Sequence, residues 1–103
     1  MNKLSIINKG GGQIVLTGDM TFATIDKQIA KATAFLASAK EITIDMAGIA
    51  NTDSAGLALM IEWLKYARTK RTHLRFRNVP EQLVTLARLS GFDTASHFKI
   101  YAD

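Results

Sequence analysis

The sequence predicts an α/β domain: a mixed sheet of about four strands packed against helices, in the chain order β-β-α-β-α-β-α. The prediction rests on two observations. Short runs in which apolar and polar residues alternate give way repeatedly to stretches in which apolar residues recur every three or four positions, so strands and helices follow one another along the chain. Breakers stand at several of the switches, with Gly10-Gly11-Gly12, Pro80 and Gly91 the clearest. A chain of 103 residues makes one domain, residues 1–103, because a second would leave neither half a core.

The elements follow in order. "LSIIN" (4–8) and "QIVLTG" (13–18) are β-branched runs joined by the triple glycine, two strands and a tight turn. From about Phe22 to Ser38 the period changes. Ile25, Ile29, Ala32 and Leu36 form one helical stripe, with Thr21 or Asp19 as the start signal. In "EITIDMAG" (41–48), Ile42, Ile44 and Met46 alternate against Thr43 and Asp45, which is strand chemistry. A loop, "AGIANTD", leads into a second helix whose inner face carries Leu57, Ile61 and Leu64, with Met60 and Ala67 beside them. "THLRFRNV" (72–79) alternates again, Leu74 and Phe76 against His73, Arg75 and Arg77. Pro80 opens a third helix with Leu83, Leu86, Ala87 and Ser90 on one stripe, and Gly91 ends it. "HFKIYA" (97–102) reads as a last short strand or an irregular tail.

Composition narrows the chemistry. With no cysteine there is no disulfide framework, thiolate metal site or cysteine nucleophile. The N-terminal stretch has no apolar run of signal-peptide length, and no run of apolar residues spans a membrane. The expectation is a cytoplasmic protein without direct membrane insertion. Net charge is +4, and Lys65, Arg68, Lys70, Arg71, Arg75 and Arg77 crowd into residues 65–77 without an acid among them. Such a run can meet nucleic acid, an acidic protein or anionic headgroups, or it is a solvated face complementing a helix C-terminus. It lacks interleaved aromatics for base stacking, so no nucleic acid is expected.

Catalysis finds little support. Ser54 is a hydroxyl with only His73 and His97 as histidine bases, and no nucleophile-elbow motif surrounds it. The two histidines have no metal-ligand spacing, and the triple glycine lacks the helix that a phosphate loop needs. No enzyme activity, metal or cofactor is expected. The strand–loop–helix junction remains: Thr52, Asp53, Ser54, Ala55, Gly56, Leu57 and Leu59. Asp53 or Ser54 can cap the helix. Ala55 and Gly56 leave its first turn bare for close approach by a partner or a phosphate, and Leu57 or Leu59 can add apolar contact.

"IDMAGIANTDSAGLALMIEWLKYA" (44–67) resembles the signature of STAS domains, small α/β modules of sulfate transporters and anti-sigma-factor antagonists. The resemblance extends to "GDM" (18–20), "ITIDM" (42–46) and "LRFRNVPEQLVTLARLSGF" (74–92). In anti-sigma-factor antagonists the motif is D-S-S-G, and its second serine is phosphorylated by a partner kinase. Ala55 stands at that place here, so the relay does not carry over, although Ser54 is a neighbouring candidate for phosphorylation. "DSAGLALMIEWLKYA" is more similar to the STAS subunit of the Mla-type ABC transporter, which maintains outer-membrane lipid asymmetry. That resemblance implies a non-enzymatic accessory subunit. It would dock through Thr52–Leu57 and Leu59 on a cytoplasmic ABC-transporter ATPase subunit, and through it on a membrane permease. The alternative it leaves is a signalling module that binds an anti-sigma factor or kinase.

Overall fold

The structure, a computed structural model, describes residues 2–91 and 98–99. Strands β1 (Ser5–Gly10) and β2 (Gln13–Met20) form an antiparallel hairpin. Gly10, Gly11 and Gly12 all adopt positive φ at the turn (85°, 60° and 80°), a path that L side chains follow poorly. Strands β3 (Glu41–Thr52) and β4 (His73–Arg77) continue the sheet in parallel. A two-residue β5 (Phe98–Lys99) pairs beside β4, so the expected four-strand order is present with one short strand added at the edge. His97 and residues 100–102 of that segment lie outside the described residues.

One face of the sheet is apolar. Ile14 and Leu16 of β2, Ile42, Ile44 and Met46 of β3, and Leu74 and Phe76 of β4 are buried, while residues between them, such as Thr43, Asp45 and Arg75, face outward. Period-two alternation therefore places one set of side chains under the helices and the other toward water. The helical layer comprises α1 (Lys27–Lys31), a 3-10 turn (Ala34–Ala37), α2 (Ser54–Thr69) and α3 (Glu81–Leu89). Trp63 of α2 is fully buried and meets Phe35 edge-on, with ring centroids 5.3 Å apart, a favoured aromatic geometry.

Several expectations need correction. The single helix from 22 to 38 is instead a turn, the five-residue α1 and the 3-10 turn. The side chain of Asp26, not Asp19 or Thr21, caps α1 through the Ile29 N–H. Ala32 leaves the helical region (ψ 80°), and the tighter 3-10 winding then buries the adjacent Phe35 and Leu36 together. The "AGIANTD" loop is strand through Thr52, because β2 runs on to Met20 and pairs with it (Asp19 with Asn51, Met20 with Thr52). The inner face of α2 is Gly56, Met60, Trp63 and Ala67 with Leu57 and Leu59, whereas Ile61 and Leu64 are only partly buried. In α3, Val84 joins Leu83 and Ala87 inside, and Leu86 is half-buried.

Candidate functional site

The candidate site is assembled where β2 and β3 end side by side. Beyond Met20 the chain turns sharply: the Thr24 and Ile25 N–H groups both donate to the Thr21 carbonyl at 3.0 Å. The Thr24 hydroxyl donates to the Asp19 carbonyl at 2.8 Å, tying the turn to the strand below. Beyond Thr52, β3 enters α2 through Asp53, whose extended backbone (φ −149°) makes it the N-cap.

Asp53 joins the two segments. One carboxylate oxygen accepts from the Ala55 N–H at 2.9 Å, and the other from the Phe22 N–H at 3.0 Å. The first bond satisfies a helix donor that would otherwise lack a partner. The second holds the turn against the helix, and Phe22 is left 85% exposed. Phe22, Ile25, Ala55, Ala58, Leu59 and Glu62 line an open, mainly apolar groove of about 260 Å³.

Asp19 is the support beneath. It is only 5% exposed and accepts from the Asn51 side-chain amide (2.9 Å) and the Asn2 N–H (3.1 Å). Those two bonds, the Asn51 amide foremost, hold its carboxyl below the usual aspartate value. It thus fixes the level at which β2 and β3 end, and with it the start of the Phe22 turn.

The predicted site residues divide into two groups. Asp53, Ser54 and Ala55 are at the surface, Ser54 exposed at the first helical position. With Asp53 as the cap, the Ser54 hydroxyl makes no hydrogen bond to any described residue. Thr52, Gly56, Leu57 and Leu59 turn inward. A Cβ on Gly56 would lie 2.7 Å from the Thr52 hydroxyl and 2.8 Å from the Met20 carbonyl. The bare backbone of Gly56 therefore serves packing of α2 on the strand ends, correcting the expectation that it offers space to a partner. Leu57 and Leu59 are 6% and 5% exposed. They complete the core instead of projecting outward, and Leu59 reaches only the floor of the groove.

The apolar group that does project, Phe22, was not among the residues expected at the site. Its sequence signal is an aromatic beside Thr21, immediately after a strand, but a helix from Phe22 to Ser38 would have placed it on the inward stripe. His73, the histidine within the described residues, begins β4 beyond the far end of α2. The 16 residues of α2 span roughly 24 Å at about 1.5 Å per residue, so Ser54 and His73 do not form a nucleophile–base pair. Among the described residues no group of three or more metal-ligating side chains converges, and no helix is long and apolar enough to cross a membrane.

This arrangement, a mixed sheet whose central strand delivers a capped helix beside an exposed turn, defines a STAS-type module. The family model described as "Mlab, STAS domain" matches residues 7–100, and the chain belongs to that family. Among solved structures, the chain is similar to the anti-sigma factor antagonist SpoIIAA in its unphosphorylated form. That match has a TM-score of 0.64 at 12% identity over 92% of this chain and 86% of that one. It is also similar to a sulfate transporter family protein from Wolinella succinogenes, with a TM-score of 0.65 at 16% identity over 96% and 84%. At these identities the likeness concerns the fold. No curated protein matches the chain in sequence.

Proposed function

We propose that this protein is a non-enzymatic accessory subunit that docks on the ATPase subunit of an Mla-type ABC transporter. It supports assembly or activity of that transporter in phospholipid traffic and outer-membrane lipid asymmetry, working at the cytoplasmic face of the inner membrane. The observation that carries the reading is Phe22, 85% exposed beside an apolar groove and held there by the same carboxylate that caps α2. An exposed aromatic on a tethered turn loses little conformational freedom on binding, which suits it to anchor an interface. Ser54 lies alongside with a free hydroxyl, and Ala55 and Ala58 leave the groove unobstructed.

Family membership supports the Mla-type assignment over the signalling alternative, and so does Ala55, which has no hydroxyl to receive phosphate. Phosphorylation of Ser54 would put about two negative charges beside Asp53 and oppose docking on any acidic partner surface. The test is an affinity pull-down from the cells that natively make the protein, wild type beside Ser54→Arg, with co-purifying proteins identified by mass spectrometry. An ABC ATPase and its permease, lost with Ser54→Arg while circular dichroism is unchanged, is the expected result. Recovery of an anti-sigma kinase in their place would move the protein to the signalling class.

A further inference from the structure

The opposite end of α2 carries a second feature, independent of the docking face. An open cavity of about 290 Å³ lies between the end of α2 and the start of β4. Leu64, Ala67 and Leu74 give it an apolar floor, and Arg68 and Arg71 form its cationic wall, with His73 beside them. Among the described residues no acid lines the cavity. Glu41 is the register partner of His73 on β3 and is exposed beside it. The Arg75 Nε–H donates to His73 Nε2 at 3.0 Å. Arg75 is thereby drawn toward the same wall.

The backbone at Arg71 gives a second indication. The Arg71 N–H donates to the Arg68 carbonyl at 3.1 Å and the Thr72 N–H to the Ala67 carbonyl at 2.9 Å, the paired bonds of a Schellman helix end. Its left-handed position is the one glycine normally fills, yet an arginine occupies it with φ 57°. A residue kept in a costly conformation beside a cavity points to a role beyond ending the helix. Complementing the helix C-terminus does not need it, since Arg68 already stands in the last turn.

We infer that Arg68, Arg71 and His73 form a binding site for a phosphate ester, with the phosphate on the cationic wall and the carbon portion on the apolar floor. Guanidinium groups pair with phosphate oxygens through parallel N–H donors, and a low-polarity floor strengthens that attraction. The ester is either a phospholipid headgroup or a soluble phosphate ester.

The test titrates the full chain with glycerol phosphate, followed by backbone amide NMR. In parallel, it is sedimented with vesicles of phosphatidylglycerol in phosphatidylcholine against phosphatidylcholine alone. Saturable shifts centred on residues 67–74, or binding specific to phosphatidylglycerol, are expected; the first assigns a soluble ester and the second a headgroup. Arg71→Gly should weaken whichever binding is seen by about tenfold or more while raising Tm by about 4 °C. Lys65→Gln, which removes an equal charge outside the cavity, should change affinity by less than about twofold. Wild-type binding in neither arm overturns the site. So does undiminished binding by Arg71→Gly, or an equal loss with Lys65→Gln.

Discussion

Gly56 is the residue on which the junction's geometry depends. Its missing Cβ lets the first turn of α2 rest on Thr52 and Met20, and two of the atoms in the way of a methyl group there are oxygens. Gly56→Ala gains helix propensity of about 1 kcal/mol, but it forces backbone apart and should destabilise the protein by about 1–3 kcal/mol. Urea denaturation checks this, and a neutral or stabilising result would mean that α2 lifts without cost. Asp53 acts differently. Asp53→Ala removes the acceptor for both the Ala55 and Phe22 N–H groups and should cost about 1–2 kcal/mol. Amide hydrogen exchange should accelerate at Phe22 and Ala55, whereas cap loss alone would accelerate only Ala55.

At the level of elements, the Phe22 turn and the start of α2 form one surface supported by the ends of β2 and β3. Phe22→Asp leaves the core untouched, so it should shift stability by no more than about 0.5 kcal/mol while abolishing partner capture. Thermal melts beside pull-downs distinguish this from unfolding. The strands and the capped junction were legible in the sequence because alternation such as Ile42-Thr43-Ile44 and an acid before a small-residue helix start are local signals. The inner face of α2 was not. Nearly every position from Leu57 to Leu64 is apolar, so periodicity does not select Trp63 over Ile61. Only the placement of Phe35 opposite Trp63 does. Phe22 was not legible for a related reason: Ile25, Ile29 and Leu36 extend its stripe, and the break at Ala32, before the turn that buries Phe35 and Leu36, has no local signal.

Across the whole molecule, two aspartates tie chain segments together, Asp19 beneath the site and Asp45 where β3 meets the end of β4. Asp19 holds β2 to Asn51 and Asn2. Burial pushes the Asp45 carboxyl up, but hydrogen bonds from Asn78 and the Ala47 N–H, with Arg77 nearby, outweigh it and leave the carboxyl below the usual value. A carboxyl with a lowered folded value contributes stability above its unfolded value, about 3.9. That contribution is lost as pH falls through the folded value. Tm should therefore hold near neutrality and decline below about pH 4, with a shallower decline in Asp19→Asn. An identical acid profile for that variant would remove Asp19 from the account.

The most direct test of the docking claim is the affinity of the purified protein for the purified ATPase subunit of the proposed Mla-type transporter, measured for wild type, Phe22→Asp and Lys65→Gln. A specific complex that Phe22→Asp weakens by about a hundredfold, the roughly 2–3 kcal/mol of an interface anchor, with Lys65→Gln near wild type and both variants folded, is the expected result. A complex indifferent to Phe22, or no complex at all, would contradict the account.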